Sequence, residues 1–199
     1  MPLTPNDPKK IVDAHNAYRL DPTINVPWIE WSSDLATGAQ QWADNLATNV
    51  HTLQHSSNPK DSAGNPLGEN IAAAARSLGG PPTDPAKMVD QWGKTPGTDA
   101  NGNPTPSEQQ NFKPGIFPNT STTGNWADAG HYSQVIWRRT TAVGCGFATD
   151  STPDSNGFIW DYLVGRYSPA GNMQGQGRPL PGEHPAVCVL WILNHHLAG

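Results

Sequence analysis

Apolar residues recur at helical spacing in the first two thirds of the chain and at strand spacing in the last third. Over residues 5–20, Ile11, Val12, Ala14, Tyr18 and Arg19 follow a roughly helical period. Asp7 is placed to cap this helix, Pro8 stands at its first position, and Asp21-Pro22 ends it. Over residues 33–48, Leu35, Ala39, Trp42 and Leu46 are spaced by four, three and four, which makes one apolar stripe, and Asp34 suits the start of the dipole. Gly68-Glu69-Asn70-Ile71 and the alanine run behind it predict a short helix ending near Gly79-Gly80. Asp84-Pro85 opens another through Met88, Val89 and Trp92, and residues 128–137 predict a further one. The period then changes. Segments 142–149, 157–167 and 186–192 are short, β-prone and bounded by turn residues, so they predict strands. Helices first and strands last predict an α+β or layered α/β/α domain with an antiparallel sheet.

The segments between these elements are long. Residues 50–68 form a polar loop with His51, His55 and the turn-like Ala63-Gly64-Asn65-Pro66. Residues 93–125 are loop-rich, with an insertion of Gly, Asn, Pro and Thr at about 95–106, and a Gly/Pro loop covers 171–182. The 20 Gly and 20 Pro belong to such loops and not to disorder, because the 199 residues also hold eight tryptophans. No internal repeat or linker divides the chain, so one domain over 5–199 is expected. A net charge of −5 without a basic run argues against nucleic acid and anionic membrane as partners. No apolar stretch approaches the roughly 18–20 residues that span a bilayer. Met1-Pro2-Leu3-Thr4 lacks the basic and apolar regions of a signal peptide, so an exported protein is expected here as its mature form behind an initiator Met. Cys145 and Cys188 are compatible with one disulfide or with two thiols.

Three segments carry more specific information: Gly68-Glu69-Asn70-Ile71-Ala72; Gly130-His131-Tyr132-Ser133-Gln134-Val135-Ile136-Trp137 followed by Val143-Gly144-Cys145-Gly146; and residues 163–172, with Gly165-Arg166-Tyr167-Ser168 at their centre. With His15-Asn16 and Arg19 in the first helix, they resemble the CAP superfamily of cysteine-rich secretory, antigen 5 and pathogenesis-related 1 proteins. The resemblance covers residues 7–172. It implies a three-layer α/β/α sandwich with a central, mainly antiparallel sheet. It also implies a cleft with two histidines and two acids. The histidines match His55 and His131, and the first acid matches Glu69. The second acid normally lies three residues after a helix tryptophan, but Thr95 stands there after Trp92. Glu108 takes that place if 95–107 is an insertion. A cysteine is usual where Gly165 stands, so a Cys145–Cys188 disulfide is only one reading. The stretch 111–128 looks more like bacterial members than animal or plant ones, which implies secretion or a periplasmic location.

Two neutral imidazoles offer the nitrogen ligands zinc prefers, and carboxylates can orient those rings from behind. The expectation is weak binding of zinc or another divalent cation by His55 and His131, with Glu69 and Glu108 as cleft acids. A lipid or glycan ligand is a further expectation. The same parts would serve a metal-assisted hydrolase, with Glu69 or Glu108 activating water. The chain lacks a His-Glu-x-x-His helix, and a surface-acting module without cleft chemistry is the third reading. Each residue also has a plainer role: Glu69 as a helix cap, Glu108 as a solvated loop acid, His15 and Arg19 as structural donors, His195-His196 as a solvated end. Ser133, two residues from His131 within a helix, points elsewhere and is not expected to be a nucleophile.

Overall fold

The computed structural model describes residues 7–99 and 101–177. Helix α1 spans Pro8–Arg19, with Asp7 accepting hydrogen bonds from the Lys9 and Lys10 amides. Strand β1 is Glu30–Trp31, and α2 is Ser33–Asn45, widening to a π-helical turn over Leu46–Val50. Strand β2 is Gly68–Ser77, and α3 is Pro85–Met88 with a 3-10 extension over Val89–Trp92. Then follow β3 (Gly97–Thr98), β4 (Pro104–Thr105), α4 (Glu108–Asn111), α5 (Gly130–Val135) behind a 3-10 turn at Trp126–Ala129, β5 (Ala142–Asp150) and β6 (Phe158–Ser168). The predicted strand at 186–192, Cys188, His195-His196 and the end of the 171–182 loop lie outside the described residues.

One expectation is overturned. The Gly68–Gly79 segment is a strand, not a helix, and all ten residues of β2 pair antiparallel with β6. Alanine favours helix by intrinsic propensity. A run of small identical residues, however, carries no period to separate a helix from a strand, and pairing along the whole of β6 decides. Glu69 is therefore not a helix cap. It stands directly opposite Arg166 in the sheet. The helices-then-strands order fails for the same reason, since β2 lies between helices.

The sheet order is β1-β5-β6-β2, with β1 parallel to β5 and the other pairs antiparallel. Alternation along the strands separates two apolar layers. Ile71, Tyr162 and Val164 face α2, packing on Ala39, Ala43 and Leu46. Ala72, Val143, Cys145, Leu163 and Tyr167 face α1, α3 and α5 with Ile11, Met88, Trp92 and Tyr132. Helix, sheet and helices form the three-layer α/β/α sandwich. Gly144 and Gly146 let α2 sit directly on β5: a Cβ at either would come within 2.2 Å of an α2 backbone nitrogen. The exposed strand edges are also covered. Gln40 holds both the amide and the carbonyl of Phe147, and the Trp92 indole donates to Ile71 O on the outer edge of β2.

His15 and Arg19 are both fully buried. Among the described residues Arg19 meets no carboxylate. It donates instead to the carbonyls of Pro27, Val135, Trp137 and Thr140, satisfying the orphan carbonyls that end α5. His15 Nδ1 is 2.8 Å from Ile11 O, a carbonyl that can only accept, so Nδ1 carries the proton and Nε2 accepts from Tyr167 at 2.9 Å. Asn70 then donates to the Tyr167 oxygen and to His131 O. A buried polar chain thus runs from α1 to the backbone of α5.

Burial lowers the His15 pKa to about 4 from its ordinary 6.5. The unfolded chain therefore takes up a proton that the folded protein refuses, and stability falls as pH drops from 6.5 towards 4. The loss is on the order of 3 kcal/mol. Denaturant titrations across this range should show it, and His15→Gln should flatten the slope while lowering stability at neutral pH.

Candidate functional site

The cleft lies where the two helical layers meet at the Gly68 end of β2. His55 reaches it from the loop after α2, anchored by the Trp42 indole donating to Gln54 O. Glu69 lies on the α2 face of β2. His131 is the second residue of α5. Glu108 opens α4, a one-turn helix closed by a capping box between Ser107 and Gln110.

The structure brings all four together as two pairs. His55 Nδ1 is 2.9 Å from Glu69 Oε1, and His131 Nδ1 is 2.6 Å from Glu108 Oε1. The two imidazole rings face each other, with centroids 6.5 Å apart and planes inclined by 22°. Glu69 is buried behind a half-exposed His55. Its Oε1 also accepts the Ser56 amide at 2.9 Å, and its Oε2 accepts the Ser56 hydroxyl at 2.6 Å. Arg166 Nε lies 3.0 Å from Oε2, an ion pair whose N–H is not aimed along the contact, while Nη2 donates to Ser56 Oγ. Burial alone would raise the Glu69 pKa, but the bonds from His55 and Ser56 and the Arg166 charge together outweigh it and hold the carboxyl below its ordinary value. Glu108 uses its second oxygen to accept the Tyr132 amide at 2.9 Å, capping the first turn of α5.

An ionised carboxylate only accepts, so each Nδ1 carries a proton and each neutral ring keeps its Nε2 lone pair. Neither Nε2 meets a hydrogen-bond partner among the described residues. Both rings border a cavity of about 480 Å³, shared with Asn70, Phe117, Trp126 and Gln134. No group of three or more His, Cys, Asp or Glu among the described residues is arranged to hold a metal ion, so any ion here would rest on two imidazoles and water.

The β3–β4 hairpin explains how Glu108 reaches this position. After Trp92 the chain leaves as the β3–β4 hairpin, and the Gln109 amide returns to Gly93 O at 3.1 Å. The excursion is closed at its base, which brings Glu108 back beside Gly93. Other candidates lie elsewhere. His51 pairs with Asp150 at the opposite end of the sheet, 2.7 Å away. Ser133 is buried and donates to Gly130 O and Asn172 Oδ1, not to His131. Sequence reasoning passed over Ser56 and Arg166, which tie Glu69 down. Placing 68–77 on a strand would have set Arg166 opposite Glu69.

An α/β/α sandwich with a carboxylate-backed histidine pair in its cleft defines a class of protein, and the comparisons agree with it. Residues 12–167 match the family described as CAP, the cysteine-rich secretory protein family, and the chain belongs to that family. It is 31% identical over 172 residues to a pathogenesis-related protein of PR-1 type from Sambucus nigra, covering 86% of this chain and 81% of that one. It is 30% identical over 184 residues to human cysteine-rich secretory protein 2, covering 87% of this chain but only 63% of the human protein. Among solved structures, BmVAL-1 is similar at 21% identity and TM-score 0.57 over 88% of this chain and 82% of that one. NaASP2 with Zn2+ is similar at 21% identity and TM-score 0.54 over 85% and 82%.

Breaking a buried ion pair strands the surviving charge. Glu69→Gln is expected to cost about 3 kcal/mol at neutral pH by guanidinium unfolding. Because the folded carboxyl lies below the ordinary 4.5, its contribution is present above that value and fades as pH falls below it, so wild type and variant should converge in acid.

Proposed function

We propose that this chain is a secreted or periplasmic CAP-domain protein, folded as one domain, whose cleft binds a divalent cation weakly through His55 and His131. The observation that carries this reading is that both rings have Nδ1 committed to a carboxylate and Nε2 left open to the same cavity. Carboxylates behind imidazoles fix the tautomer and raise ligand basicity, as they do at zinc centres. Two nitrogens plus water make an exchangeable site, well short of a structural zinc. Zinc is the ion to test first, since imidazole suits it and a protein of similar fold, NaASP2, is described with Zn2+.

Binding is favoured over hydrolysis by the use made of the acids. All four oxygens of Glu69 and Glu108 already accept hydrogen bonds or an ion pair. Neither of these two carboxylates is left uncommitted to take a proton from a metal-bound water.

Calorimetry should show zinc binding that weakens as pH falls, because the ligand imidazoles must be neutral. The His55→Ala/His131→Ala double variant should lose that binding while its far-UV circular dichroism stays unchanged. Glu69→Gln should weaken zinc about tenfold or more. Undiminished zinc affinity in the double variant would remove the ligand assignment. Peptide or ester turnover lost in Glu69→Gln would favour the hydrolase.

A further inference from the structure

The aromatic part of the cavity lining has no place in a metal site. Phe117 and Trp126 meet edge to face there, with ring centroids 5.3 Å apart. Trp126 is 46% exposed, which leaves part of its ring open to a ligand. The pair is held rigidly. The Phe117 amide donates to Gln176 O and its carbonyl accepts from Gly175. Asn125 caps the turn that carries Trp126, accepting from the Ala127 amide and donating to Asp128. Trp126 packs against Gly130, where a Cβ would lie 3.0 Å from its ring, so the aromatic wall is fixed to the residue before His131.

We propose that this cavity is a binding site for a neutral oligosaccharide, with a sugar ring stacked on Trp126 and Phe117. The inference rests on the cleft being a ligand site but needs no metal in it. Its volume, about 480 Å³, is in the range of ligand pockets. One side is aromatic. The other presents the two Nε2 atoms and Asn70 Oδ1, which have no hydrogen-bond partner among the described residues. A flat apolar face edged with hydroxyls matches both sides at once. An alkyl chain does not, because no Leu, Ile, Val or Met among the described residues lines the cavity. An anionic polymer does not either: the chain carries a net charge of −5, and the Arg166 guanidinium beside the cleft is already committed to Glu69.

The test titrates the protein in EDTA with chitotetraose, cellotetraose and maltotetraose, following tryptophan fluorescence and heat, with palmitate as the counter-probe. At least one tetrasaccharide should bind and shift the emission. Trp126→Ala should weaken it about tenfold or more, and Trp126→Phe should recover most of that loss. Zinc binding by Trp126→Ala should match wild type, which separates failure of the sugar site from failure of the metal site. The proposal is overturned if none of the three sugars binds wild type at millimolar concentration, if Trp126→Ala binds them equally well, or if palmitate alone binds in a Trp126-dependent way.

Discussion

A carboxylate taken out of water must be paired, and the pairing of Glu69 organises this protein from the sheet outwards. Its partners come from two separate segments: His55 and Ser56 from the loop after α2, and Arg166 from β6. Strand β2 brings the acid to that meeting point only because its whole length pairs with β6. Glu108 repeats the arrangement on the other wall, tying His131 and the first turn of α5 to α4. The imidazoles are thus end products of two fixed acids, oriented before any ligand arrives.

The layers behind the cleft serve the same end. Arg19 closes the carbonyl end of α5, while the His15–Tyr167–Asn70 chain holds its beginning at His131 O. A six-residue helix would be marginal alone. Gripped at both ends by buried groups, it becomes a fixed mount for His131.

Much of this was legible in the sequence, in proportion to how far each signal was local. Asp7-Pro8 and the stripe of Leu35, Ala39 and Leu46 fixed α1 and α2, because caps and apolar spacing act within one element. His131 and Glu69 stand in the motifs themselves, and Glu108 was matched only through the resemblance, by reading 95–107 as inserted; the structure has the β3–β4 hairpin there, closed on Gly93. What failed was non-local. The alanines of β2 carry no period, so only pairing with β6 reveals a strand. Nothing local marks Arg166 as the partner of Glu69 until that register sets the two opposite, and Ser56 meets the acid from the loop after α2. The two-residue β1 is too short to carry any pattern.

The claim on which the account turns is that two carboxylates hold two Nε2 atoms open for one ligand. A crystal soaked with zinc and measured at the zinc absorption edge tests it most directly. The account predicts one anomalous peak at about 2.0–2.1 Å from Nε2 of both His55 and His131, with both Nδ1 atoms still on Glu69 and Glu108. A cleft without a peak, or zinc bound to a carboxylate that has released its histidine, would contradict it.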